Sequence, residues 1–236
     1  VVNDPPILVA LDVASAEEAV RLAKAVAPHV GGFKVGLGLL HGPGPGTVSA
    51  LAALGKPVFA DAKLHDIPSQ VEAAATRLGR MGARWVTAHV SGGQEMLEAA
   101  VAGMTRGAGG PAGILGVTVL TSLDPAALAA VGITAAPGKL VSRMARVASR
   151  TGCEGLVCSP LELGVVATVA PELIKVVPGI RPDGGVDDQR RVSTPQDAIA
   201  HGADWLVIGR PITSAADPVA AAAAIATLVR GVRAPR

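Results

Sequence analysis

Val58-Phe59-Ala60-Asp61-Ala62 is followed by Lys63-Leu64-His65-Asp66-Ile67, then by the Ala-rich run from Pro68 to Met81, and then by Trp85-Val86-Thr87-Ala88. The first and last pieces are short, apolar and rich in β-branched or aromatic residues, as strands are, and the middle run has helical spacing. Two strands joined through a helix lie parallel in one sheet, because the helix must carry the chain back to the starting edge.

The same alternation extends in both directions. Strands are expected at Ile7 to Leu11, Gly32 to Val35, Gly113 to Leu120, Gly155 to Cys158, Ile174 to Val177 and Trp205 to Ile208, making eight with the pair above. Crossover helices are expected at Ala16 to Ala27, Pro68 to Met81, Gln94 to Ala102, Lys139 to Arg150, Pro195 to His201 and Pro218 to Val229. Ser15 with Glu18 three residues on gives the first of these a capping box. Eight strand-helix units imply an α/β fold closed into a (β/α)8 barrel, with an open doubly wound sheet as the competing arrangement. The Gly/Pro-rich stretches at 42–46 and 107–113 are short enough to be loops, so 1–236 is expected to form one domain.

Of the 236 residues, 50% are hydrophobic and 17% charged, enough apolar material for one large core. The net charge of +2 arises from 21 basic and 19 acidic residues with no long block of either sign, so no nucleic-acid arm or membrane-binding patch is expected. Two Phe, two Trp and no Tyr leave little for stacking on bases. The longest apolar run, Val219 to Val229, is interrupted by Thr227 and too short to span a bilayer. Val1 to Pro6 lacks the basic and apolar regions of a secretory signal, and Cys153 and Cys158 suit packed, reduced thiols, so a cytoplasmic location is expected.

Polar residues collect where the strands end, which is where a barrel carries its catalytic groups. Asp12 ends the first strand, Lys34 lies in the second, Asp61 and Lys63 end the third, His89 follows the fourth and Thr121-Ser122 follow the fifth. Residues two apart on a strand share a face, so Asp61 and Lys63 are expected to point together, with Lys34 within reach. A row of alternating charges keeps an ammonium beside carboxylates, and a lysine so held is a general acid. Taken alone, Asp61, Lys63 and Asp66 suit a stabilising ion-pair network equally well. His65 is expected to point away, and His89 could line the pocket.

A second group of polar residues runs from Pro178-Gly179-Ile180-Arg181 through Gln189-Arg190-Arg191, and a third is Ile208-Gly209-Arg210-Pro211. The loops after the last two strands of a barrel often hold phosphate, with Gly209 allowing close backbone approach and Arg181 and Arg210 supplying charge. Neither a P-loop nor a Gly-rich dinucleotide turn is present in the sequence.

Taken in order, Leu11-Asp12, Phe33-Lys34-Val35-Gly36, Phe59 to Pro68, Val119-Leu120-Thr121-Ser122, Pro178-Gly179-Ile180-Arg181 and Val207-Ile208-Gly209-Arg210 make the chain resemble the orotidine 5′-phosphate decarboxylase family across nearly its whole length. The resemblance implies conversion of orotidine monophosphate to uridine monophosphate and carbon dioxide without a cofactor or metal. By it, Lys63 donates a proton to C6 of the pyrimidine, Asp61 crowds the substrate carboxylate, Lys34 ties the ribose to the charge row and Asp12 binds ribose hydroxyls. Ser122 holds the pyrimidine edge; Pro178 is counted among the substrate-binding residues, and Arg181, Gln189, Gly209 and Arg210 hold the phosphate. Asp66 reaches into the neighbouring site of a homodimer. Under the same resemblance, the segment from Pro178 to Val192 is expected to act as a lid.

Ser69-Gln70 stand where the family commonly carries a Thr, which leaves the role of Gln70 open. The rival enzymatic reading is a Mg2+-dependent sugar-phosphate decarboxylase or synthase that shares the Asp-x-Lys-x-x-Asp pattern. A rival of another class is a catalytically dead barrel that binds a phosphorylated ligand. Metal dependence separates the first from the main reading, and retention of Lys34, Asp61, Lys63 and Asp66 argues against the second.

Overall fold

A computed structural model describes residues 4–182 and 192–232. Eight parallel strands close on themselves in sequence order: β1 (Ile7–Ala10), β2 (Gly32–Val35), β3 (Val58–Leu64), β4 (Trp85–His89), β5 (Gly113–Val117), β6 (Gly155–Val157), β7 (Ile174–Val177) and β8 (Trp205–Ile208). Closure is made by β1 against β8, with Leu8 opposite Val207. The barrel expected from the repeated strand-helix units is therefore the fold, and the open sheet is not.

The longer connecting helices are α1 (Ala16–Val26), α4 (Pro68–Arg80), α5 (Gln94–Gly107), α7 (Pro137–Arg150) and α11 (Pro218–Val229). Between them lie α2 (Leu37–His41), α3 (Gly46–Ala52), α6 (Pro125–Ala130), α8 (Leu163–Val169), α9 (Pro195–Ala200) and α10 (Arg210–Thr213). Ser15 caps α1 by accepting a hydrogen bond from Glu18 N at 3.1 Å. In α11, Ala222, Ile225, Ala226 and Val229 are buried, and no helix among the described residues is long and apolar enough to cross a membrane. The helices missing from the sequence reading, α2, α3, α6, α8 and α10, have four to seven residues, too few to display a 3.6-residue period.

Side-chain alternation divides the apolar residues into two layers. Residues facing outward, such as Val9, Phe33, Ala60, Val86, Ile114 and Leu156, join the helices in the larger core. Leu8, Ala10, Phe59, Trp85, Leu115, Val176 and Val207 fill the barrel interior, with Trp205 edge-on to Trp85 at a ring separation of 5.3 Å. This packed interior is the floor on which the polar strand ends stand.

The ends of β1, β4 and β6 differ from expectation by one residue, and those of β3 and β5 by more. β5 stops at Val117 rather than Leu120, because its neighbour β6 ends at Val157; Thr118 N still reaches Val157 O, at 3.3 Å. β3 runs on to Leu64, but irregularly. Ala60 pairs with Val86 and Leu64 with Ala88, so Asp61, Ala62 and Lys63 stand opposite Thr87 alone. This bulge carries Lys63 into the left-handed region at φ 46°, the one described non-glycine residue with positive φ.

Candidate active site

Above the apolar floor is a cavity of about 520 Å3, within the range of small-molecule sites. Asp12, Lys34, Asp61 and Lys63 line one wall, and Pro178, Gly179, Arg181, Gly209 and Arg210 line another. Ser122 and Thr121 come from the segment after β5, while Phe59, Val117, Val157 and Val207 form the base. The sequence-selected groups on six strand ends thus meet in one space. Gln189 lies outside the described residues, as does most of the segment expected to act as a lid.

The charges form a chain. Lys34 Nζ lies 3.1 Å from Asp12 Oδ1 and 4.0 Å from Asp61 Oδ2, and Lys63 Nζ lies 2.6 Å from the same Asp61 oxygen. Lys34 is buried, whereas the Asp12 side chain is 62% exposed at the mouth of the cavity. The other Asp61 oxygen, Oδ1, accepts a hydrogen bond from Thr87 Oγ1 at 3.0 Å. Two ammonium groups flank one oriented carboxylate in a partly dry space, where charge-charge interactions are stronger than in water. The order is Asp12, Lys34, Asp61, Lys63.

Asp66 is absent from this network. It is exposed, and its Oδ1 accepts from Ile67 N at 2.7 Å, so the Asp61-Lys63-Asp66 ion-pair network considered from spacing alone does not form within the chain. Ile67 beside it is 62% exposed. His65 is exposed too, and its ring lies 5.3 Å from that of His89. Neither ring lines the cavity, so the expectation for His89 is corrected: the bulge places Lys63 at the wall and His89 against His65. Burial is the main cause that lowers the His89 pKa below 6.5, reinforced by His65 and Lys63 and opposed by Asp61.

Several lining residues escaped the sequence reading. Thr213 and Ser214 belong to the end of short α10, and Cys158, read only as a packed thiol, is buried in the cavity wall. Burial, followed by the nearby Glu162 carboxylate, pushes the Cys158 thiol up. Thr87, buried and not itself a lining residue, is the most informative omission. It is two residues before His89 on an inward-facing register, but its role depends on the β3 bulge, which the sequence does not announce.

Residues 5–225 match the family described as orotidine 5′-phosphate decarboxylase / HUMPS. An orotidine 5′-phosphate decarboxylase of Anaeromyxobacter sp. (strain K) is 52% identical over 222 residues, covering 93% of this chain and 96% of that protein. One from Thermobifida fusca (strain YX) is 49% identical over 226 residues, covering 94% of each. The crystal structure of orotidine 5′-phosphate decarboxylase from Lactobacillus acidophilus superposes with a TM-score of 0.85 at 32% identity, covering 97% of this chain and all of that one.

Proposed function

The chain belongs to the orotidine 5′-phosphate decarboxylase / HUMPS family and is an enzyme that decarboxylates orotidine 5′-monophosphate to uridine 5′-monophosphate in pyrimidine synthesis, and from that premise we propose how its residues divide the work. Lys63 is the proton donor to C6, and Asp61 stands where the substrate carboxylate arrives. Lys34 and Asp12 bind the ribose, Ser122 the pyrimidine edge, and Pro178, Arg181, Gln189, Gly209 and Arg210 the phosphate end. No cofactor enters this scheme. The enzyme works as one domain in the cytoplasm.

The observation carrying this reading is the charge chain on the cavity wall, with Lys63 Nζ 2.6 Å from Asp61 Oδ2 and Lys34 Nζ on the other side of that carboxylate. Breaking the bond between C6 and the carboxylate releases carbon dioxide and leaves an electron pair on C6. An ammonium fixed beforehand beside that carbon stabilises the pair and then transfers its proton to it, so the neutral pyrimidine is restored with Lys63 as the amine. Asp61 favours departure of the substrate carboxylate by like-charge repulsion and holds Lys63 in place meanwhile. Contacts at the remote phosphate supply the binding energy that brings the two carboxylates together.

Asp66 acts in the second site of a homodimer. Its exposed position, outside the cavity of its own chain and next to exposed Ile67, suits an interface contributed by both copies.

The test is the ultraviolet assay of orotidine monophosphate turnover in EDTA, on wild type and Lys63→Ala. Wild type should turn over fully in chelator. Lys63→Ala should lose at least about a thousandfold in kcat, as expected when a charge-stabilising group and the acid are removed together, while still binding uridine monophosphate. Near-normal turnover by Lys63→Ala would remove it as the acid, and activity lost in EDTA but restored by Mg2+ would overturn the metal-free mechanism.

A further inference from the structure

Thr87 is fully buried on β4, and its single hydroxyl joins the two residues proposed to do the chemistry. Oγ1 donates to Asp61 Oδ1 at 3.0 Å and accepts from Lys63 N at 2.8 Å. The roles are fixed by the partners: a backbone N–H can only donate, so the hydroxyl proton is left for the carboxylate.

The geometry around it shows what those bonds hold in place. Asp61 has two oxygens, and Oδ2 faces the ammonium groups of Lys63 and Lys34. With Oδ1 tied to Thr87, rotation of the carboxylate about its last bond is stopped. Lys63, meanwhile, sits at φ 46° in a bulge where three residues of β3 stand opposite Thr87. Left-handed backbone is unfavourable for a non-glycine residue, so the conformation persists only where neighbours hold it. In a regular ladder a carbonyl of β4 would meet the strand's N–H; at the bulge the Thr87 side chain takes that place.

We propose that Thr87 is a positioning residue for the decarboxylation, acting through its hydroxyl to lock the Asp61 carboxylate and the Lys63 backbone in register with each other. Its hydroxyl bonds to Asp61 and Lys63, and Thr87 is not among the residues lining the cavity, so its effect falls on the chemical step rather than on nucleotide binding. The inference rests on the assignment of Lys63 and Asp61 made above.

Thr87→Val keeps the shape and removes the hydroxyl, Thr87→Ala removes it without placing a methyl against the carboxylate, and Thr87→Ser retains both hydrogen bonds. Loss of a charge-assisted hydrogen bond that matters in the transition state predicts a fall in kcat of about tenfold to a hundredfold in Thr87→Val and Thr87→Ala. Uridine monophosphate affinity should stay within about twofold of wild type by the same reasoning, since nucleotide contacts are untouched. Thr87→Ser should recover most of kcat. Wild-type kcat in a folded Thr87→Val or Thr87→Ala variant, an equal loss in Thr87→Ser, or a loss confined to KM would overturn the proposal. So would failure of both hydroxyl-free variants to fold, which would make the residue structural. Lys63→Ala measured alongside separates the two levels: if it is inactive while Thr87→Val is normal, only the positioning role falls, and if Lys63→Ala is active the reading beneath it falls as well.

Discussion

Gly36 and Asp12 share a space that one methyl group would fill. A Cβ built on Gly36 falls 2.8 Å from Asp12 Oδ1 and 3.0 Å from Lys34 Nζ, the two atoms that form the outer link of the charge chain. The backbone at Gly36 is extended, with φ −89° and ψ −179°, so close approach rather than conformational freedom requires glycine there. Gly36→Ala should therefore fold, because both obstructing atoms end flexible side chains, but it should break the 3.1 Å pair. Steady-state kinetics should show kcat/KM down by about tenfold or more, in line with the loss of one charged contact, with the thermal midpoint within a few degrees of wild type. An unchanged kcat/KM would mean that the Asp12-Lys34 link does not bear on substrate.

Supplying Asp66 across a two-fold interface predicts complementation. Asp66→Asn and Lys63→Ala homodimers should each be nearly inactive, whereas a mixed dimer contains one site with both groups intact. After equal amounts are mixed and allowed to exchange, random pairing gives about a quarter of the wild-type number of complete sites. Activity appearing on mixing, at about that level, is the expected result. Two inactive pools that stay inactive after demonstrated exchange would place Asp66 outside the neighbour's site.

Strand number, strand order and the wall on which the charges stand could be seen in the sequence, because eight apolar runs and the polar residues at their ends repeat with a fixed rhythm. Asp12, Lys34, Asp61, Lys63, Ser122, Arg181, Gly209 and Arg210 all line the cavity for that reason. What the rhythm conceals is irregularity. Plain alternation places Lys63 beside Asp61 correctly, but two extra residues on β3 take it there by a left-handed turn. The partner that makes this turn tenable, Thr87, is distant in sequence and ordinary in type. His89 departs from the plain alternation as well: its ring lies against His65 rather than at the cavity. Short helices such as α10 were missed because four residues carry no period, and with them went Thr213 and Ser214.

The two thiols should be silent in the folded protein. Burial raises the Cys153 pKa to about 11, and it pushes Cys158 up as well. Thiolate is the reactive form, so at pH 8 neither cysteine should react with Ellman's reagent on the timescale of minutes in native protein. After denaturation both should react, giving two thiols per chain, the number in the sequence. Rapid labelling of Cys158 in the native protein would show that the cavity wall opens.

His89 should make stability depend on pH on the acid side. Its pKa is lowered below 6.5 chiefly by burial, then by His65 and Lys63, against a smaller opposing effect of Asp61. The unfolded chain therefore takes up this proton before the folded one does. Between the ordinary histidine value and the lowered one, the unfolded state binds more protons, so the stability associated with neutral His89 is present above pH 6.5 and declines as pH falls toward the lowered value. His89→Asn removes that proton-binding difference. Thermal midpoints measured from pH 7.5 to pH 5 should fall more steeply for wild type than for His89→Asn below pH 6.5, with the two curves running parallel above it. His65→Asn is the companion variant: with the neighbouring ring gone, one of the influences lowering the His89 pKa is removed, and the wild-type slope should become shallower without vanishing, because burial remains. Parallel wild-type and His89→Asn curves throughout that range would mean that His89 takes up its proton equally readily in the folded and unfolded chains.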